Sequence, residues 1–129
     1  MTVRLLLAAA AVALMPSLAH AQDVAAGEKS FNKCRACHQV GETAKNTVGP
    51  PLNGLFGRKS GSYEGFNYTE ANKDSGITWD DAVFADYIRD PKAKIPGTKM
   101  AFAGIRNDQE IKDLTAFLRQ FGDGGKKRN

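Results

Sequence analysis

Cys34-Arg35-Ala36-Cys37-His38 decides the reading of this chain, because it gathers nearly all the thiol and imidazole chemistry present. Both cysteines of the 129-residue sequence lie in it, and of the two histidines only His20 lies elsewhere. Two thiols separated by two residues and followed at once by an imidazole is the spacing for covalent attachment of haem c. The thiols add to the haem vinyl groups as thioethers, and the adjacent imidazole ligates the iron. Porphyrin then supplies four nitrogens, His38 the fifth ligand, and a sixth position remains. Three other readings compete. A structural zinc site needs four ligands, and this chain offers three before it must borrow a carboxylate. A thioredoxin-type redox pair belongs where a strand meets a helix, and the flanks show no strand-like alternation. A plain disulfide between Cys34 and Cys37 would close a very small loop and add little stability.

N-terminal to this stretch the sequence reads as export machinery. Arg4 stands ahead of an apolar run from Leu5 to Met15, Pro16 follows, and Ala19-His20-Ala21 has the small-x-small form of a cleavage site. The run is shorter than the roughly 20 residues that span a bilayer, so no retained anchor is expected. Residues 1–21 are expected to be a cleaved signal peptide and residues 22–129 a single domain. Cleavage after Ala21 removes His20, Met1 and Met15, leaving one histidine and one methionine, Met100. All 13 glycines stay behind, and most of the aliphatic run is lost, so the mature chain is lean in core residues. The net charge of +4 falls to +3 with Arg4, too modest and too mixed in sign for wholesale nucleic-acid binding.

Helices are expected on both sides of a long irregular region. Asp23 can cap a first helix whose positions Val24, Gly27, Phe31 and Cys34 share a face and deliver the cysteine motif at its end. From Gly41 to Gly76 the chain is studded with glycine and carries Pro50-Pro51 without a sustained period. That pattern reads as loops wrapping a large buried group, with one short helical turn near Thr69 to Asn72. Thr78-Trp79-Asp80-Asp81 looks like a capping box for a helix from Trp79 to about Arg89, with Val83, Phe84, Tyr87 and Ile88 apolar and Pro91 forbidding continuation. Asn107 with Glu110 signals the start of a last helix. Its face is Ile111, Leu114, Phe117, Leu118 and Phe121, stopped by Gly122. The Gly-rich, basic residues 122–129 read as a flexible tail.

Met100 lies in Ile95-Pro96-Gly97-Thr98-Lys99-Met100, a turn-rich, charged loop between the two later helices. A thioether is a soft neutral ligand that favours reduced iron, and with both cysteines taken up by the haem no second histidine or free cysteine is left after processing. Met100 is therefore the candidate sixth ligand, with Lys99 or an empty position as the alternatives.

These residues together resemble a family, the class I c-type cytochromes, of the bacterial c2 and mitochondrial kind. The similarity runs over nearly all of Val24 to Phe121. It is carried by the CxxCH motif and by Val48-Gly49-Pro50-Pro51-Leu52-Asn53-Gly54-Leu55-Phe56-Gly57-Arg58. Tyr68 to Asn72, Gly76-Ile77-Thr78-Trp79, and Asp90-Pro91-Lys92 leading into Ile95 to Met100 complete it. The resemblance implies a small all-α fold, helices and loops wrapped around one covalently attached haem, with the first and last helices crossing and one haem edge exposed. It also implies that the Pro50 carbonyl accepts the His38 Nδ1 proton. Arg58, Tyr68, Trp79 and Thr98 look like donors around buried haem propionates, Tyr87 like the hydroxyl near the Met100 sulfur, and Asn72 like a polar neighbour of the same pocket. Gly27 and Phe31 look like the contact with Leu114 and Phe117 where the first helix meets the last. Lys94 stands where mitochondrial relatives carry an aromatic, and the tail has no clear counterpart.

The expected function is that of a soluble, monomeric, periplasmic one-electron carrier with haem c ligated by His38 and Met100, and not an enzyme. The resemblance implies cytochrome bc1 as donor and an oxidase, photosynthetic reaction centre, peroxidase or nitrogen-oxide reductase as acceptor. Docking is expected through Lys33, Lys92, Lys94 and Lys99. The rival classes are a haem enzyme or gas- or peroxide-binding sensor with an open sixth site, and a thiol-disulfide oxidoreductase.

Overall fold

Each of the longer helices begins where a carboxylate or amide can hold an otherwise unpaired backbone N–H. In the computed structural model, which describes residues 22–128, the Asp23 carboxylate accepts from Ala26 N and starts α1, Val24–Phe31. The expected signal peptide, residues 1–21, lies outside the described residues. Thr69 caps the short α2, Glu70–Lys73. Asp80 caps α3, Asp81–Arg89, and Asp90 caps α4, Pro91–Lys94. Asn107 caps α5, Asp108–Arg119, through Glu110 N. The described residues hold no strand, only the isolated bridges of Lys59 with Thr78 and of Phe121 with Lys127.

The core forms where α1 crosses α5. An added Cβ on Gly27 would stand 2.0 Å from the Asp113 carbonyl oxygen and 2.8 Å from Phe117 Cβ, so only glycine admits this approach. One turn on, the Phe31 and Phe117 rings lie 5.2 Å apart, with Leu114 and Leu118 fully buried on the same face. The helix pair is also tied by polar groups that the apolar pattern does not announce. Asp113, buried on α5, accepts from Asp23 N at 2.8 Å and from Gln109 Nε2 at 2.9 Å. Ser30 Oγ donates to Glu110 at 2.8 Å.

Several boundaries differ from the sequence expectation. The third helix starts at Asp81 and not at Trp79, because Asp80, not Thr78, supplies the cap by accepting from Val83 N at 2.8 Å. Pro91 does more than end a helix: its fixed φ and absent N–H suit the first position of α4. The last helix closes at Arg119, so Phe121 is buried from a bridge beyond it. Val24 is 37% exposed, outside the face that Gly27 and Phe31 bury. The tail, expected to be flexible, is folded back over residues 122–128. Gly122 N donates to Lys126 O at 3.1 Å and Arg128 N to Gln120 O at 2.7 Å.

Candidate functional site

The loops between α1 and α5 enclose a cavity of ≈ 340 Å³ with mostly apolar walls. The residues expected to hold the cofactor all line it: Cys34, Cys37, His38, Pro50, Arg58, Tyr68, Asn72, Trp79, Tyr87, Thr98 and Met100. The two cysteines sit in consecutive turns directly after α1. Cys37 N and His38 N both donate to Cys34 O, at 3.0 and 2.8 Å, which brings the thiols and the imidazole to one wall.

His38 is held by geometry and by space. Its Nδ1 lies 2.8 Å from Pro50 O, and since a carbonyl only accepts, Nδ1 carries the proton. Nε2 keeps the ring's one free lone pair. Gly49 presses on the ring, where a Cβ would come within 2.4 Å of Cε1, so any larger residue would turn the imidazole. Burial lowers the His38 pKa below its ordinary value, partly offset by the bond to Pro50, and keeps the ring neutral and able to ligate.

The Met100 sulfur accepts a hydrogen bond from Tyr87 Oη at 3.0 Å. Burial raises the Tyr87 pKa, and the Thr98 hydroxyl bonded to the same oxygen opposes that rise. Thr98 Oγ1 also receives Met100 N at 3.3 Å, so Thr98, Tyr87 and Met100 form one small network. Thr98 thus bonds within the methionine loop while lining the same cavity as Arg58. Trp79, nearly buried, packs edge-on to Tyr87 with ring centroids 4.9 Å apart.

Arg58 supplies the positive charge in the wall. Its guanidinium donates to Pro51 O and Asn53 O at 3.1 to 3.2 Å and forms no ion pair among the described residues. Burial pulls its pKa below the ordinary value, while Tyr68, Tyr63 and Asp123 raise it. The Tyr68 hydroxyl accepts from Tyr63 N at 3.1 Å and so retains its own proton to donate. Asn72 spends its side-chain oxygen on Thr69 Oγ1 at 2.9 Å, which leaves its NH2 group as donor.

This donor set fits a haem. One imidazole nitrogen and one thioether sulfur line the same cavity as two unbridged thiols, and a guanidinium without a carboxylate partner stands ready for an anionic substituent. Zinc fits poorly, since no group of three or more His, Cys, Asp or Glu side chains among the described residues could hold a metal ion. A redox dithiol fits poorly too. Burial pushes the Cys34 thiol up to about 11, away from the thiolate that such chemistry uses.

Sequence reading missed part of the wall. Leu55, Phe84, Leu114 and Leu118 serve both the core and the cavity, and Lys59 lines it without belonging to any motif read there. Ser60 also belongs to this wall, but its hydroxyl is buried without a partner. Of the four lysines expected to dock, Lys33 pairs with Glu110, Lys94 pairs with Asp86 at 2.5 Å, and Lys99 donates to Asn67 O while lying 4.7 Å over the Phe66 ring. Lys92 is exposed and has no such partner among the described residues.

Residues 24–122 match the family described as Cytochrome c. A cytochrome c2 from Rhodoplanes tepidamans is 67% identical over 107 residues, which is 83% of this chain and 100% of the relative. A cytochrome c2 from Blastochloris viridis is 60% identical over 110 residues, 85% of this chain and 87% of the relative. Among solved structures, cytochrome cH from Methylobacterium extorquens superposes with a TM-score of 0.72 at 45% identity, covering 76% of this chain and 98% of its own.

Proposed function

The chain belongs to the cytochrome c family, as a class I c-type cytochrome of the cytochrome c2 kind, and we propose that it carries single electrons through a haem c attached at Cys34 and Cys37 and ligated by His38 and Met100. Family members carry covalently attached haem c and are electron carriers, not enzymes. One observation carries the ligation: His38 Nδ1 is committed to Pro50 O while Nε2 stays free, in a cavity that the hydrogen-bonded Met100 sulfur also lines.

When bound, the haem supplies a one-electron iron couple. The chain's own residues set the conditions for it. Pro50 and Gly49 fix the imidazole, so that no ring rotation accompanies a change of charge. Met100 offers a neutral thioether, which favours the reduced state, and Tyr87 holds the sulfur in place. The apolar walls exclude water. Arg58, Tyr68, Trp79 and Asn72 provide donors for buried carboxylates, and Thr98 secures the methionine loop.

The carrier works in the periplasm after removal of residues 1–21, as a monomer. Among the described residues no helix is long and apolar enough to cross a membrane. Its partners are membrane redox complexes: cytochrome bc1 as donor, and an oxidase, reaction centre or reductase as acceptor. It meets them through the lysine face of Lys33, Lys92, Lys94 and Lys99. Such a contact must form fast and release, which favours a small, charge-steered interface. The visible spectrum of the purified holoprotein tests the reading. Sharp low-spin bands in both oxidation states support a carrier, high-spin bands indicate an open sixth site, and no haem bands leave only a dithiol.

A further inference from the structure

The C-terminal segment is built into the cavity wall from behind. Beyond α5 the chain turns sharply, with Gly125 N donating to Gly122 O at 2.8 Å and Phe121 bridged to Lys127. This turn is seated on the loop that carries the site. Phe121 O accepts from Gly54 N at 2.9 Å. Gly125, at φ +78°, lies so close to Gly41 that a Cβ would stand 2.1 Å from its carbonyl oxygen and 2.7 Å from Asn53 Nδ2. Asn53 is itself buried and exchanges two hydrogen bonds with Gly41, at 2.8 and 2.9 Å. Asp123 rests its carboxylate on Gly54, where a Cβ would meet Oδ1 at 2.0 Å.

The loop so gripped, residues 50–54, is the one whose carbonyls orient two groups of the site. Pro50 O holds His38, and Pro51 O and Asn53 O hold Arg58. We propose that the C-terminal turn, residues 122–128, is a positioning element of the redox site: it clamps residues 50–54 and so holds in place the carbonyls that orient His38 and Arg58. This inference rests on the reading of Arg58 as a group facing the cofactor.

The test uses the holoprotein. Midpoint potential and amide hydrogen exchange at Gly54 are measured in a chain that stops after Phe121 and in Gly125→Ala, whose added methyl group meets the Gly41 carbonyl. Lys126→Gln, which leaves the backbone contacts of the turn in place, and Arg58→Gln are measured beside them. The shortened chain and Gly125→Ala shift the potential and accelerate Gly54 exchange by about tenfold or more, while Lys126→Gln changes neither. Unchanged Gly54 exchange in the shortened chain, or faster exchange at an unchanged potential, would overturn the proposal. An unchanged potential in Arg58→Gln would bring down the reading of Arg58, and the proposal with it.

Discussion

Tyr87 donates its hydroxyl proton to the Met100 sulfur across 3.0 Å, joining α3 to the loop that carries the methionine. A donor at that sulfur draws electron density away from it and weakens it as a partner for oxidised iron, which favours the reduced state. Tyr87→Phe keeps the ring and its edge-on packing with Trp79 but removes the proton. The potential is expected to fall by about the worth of one hydrogen bond, roughly 0.5–1.5 kcal/mol, with the low-spin spectrum retained. Spectroelectrochemistry of the variant checks both.

Gly27→Ala places a methyl group where the Asp113 carbonyl oxygen already stands, at 2.0 Å from the added carbon. The obstacle is backbone, so α1 and α5 must move apart and loosen the Phe31 and Phe117 contact. A loss of at least about 2 kcal/mol is expected in denaturant unfolding of the holoprotein. A loss below about 0.5 kcal/mol would show that the crossing is not tight.

Glu110 contributes a pH dependence with a definite sign. The Lys33 ammonium, then the Ser30 hydroxyl, hold its carboxyl below the ordinary value of 4.5. Above that value both folded and unfolded states are ionised and the stabilisation is complete. As the pH falls through the lower folded-state value, protonation removes it. Glu110→Gln is therefore expected to lower stability at neutral pH and to flatten the acid limb of the stability profile, read by unfolding midpoints from pH 7 to about 3.

Docking is expected to depend most on Lys92. Lys33 and Lys94 already face carboxylates, and Lys99 is held by a carbonyl and an aromatic ring, whereas Lys92 is exposed without such a partner among the described residues. Lys92→Glu should lower the second-order electron-transfer rate with the proposed donor, the bc1 complex, several-fold at low salt, more than Lys94→Glu does. Rates should converge as the screening length falls to about 8 Å. Stopped-flow kinetics across a salt series decides it. Equal rates for wild type and Lys92→Glu at low salt would remove this face from docking.

What the sequence disclosed, and what it withheld, follows from the range of the forces involved. CxxCH is legible because its chemistry is local, and the caps at Asp23 and Asn107 are legible because a side chain meets a backbone group three residues away. Asp80 shows how narrow the margin is. Thr78 and Asp80 are both good caps, and the bridge that holds Thr78 against Lys59 is a long-range contact that local patterning does not reveal. The same holds for Asp113, a charged residue on an amphipathic helix that becomes buried because it receives Asp23 N from the far end of the chain. The contacts of the tail are equally long-range. Its glycines look like flexibility, yet Gly125 serves to bring the chain against Gly41 at a distance no side chain permits.

Ligation by Met100 is the claim on which the rest depends. The most direct measurement is the visible spectrum and midpoint potential of Met100→Ala beside wild type at neutral pH. Loss of the thioether should convert the oxidised protein to a high-spin or lysine-ligated form and lower the potential markedly, since the ligand that favours reduced iron is gone. An unchanged low-spin spectrum together with an unchanged potential would place Met100 outside the iron's coordination and contradict the account.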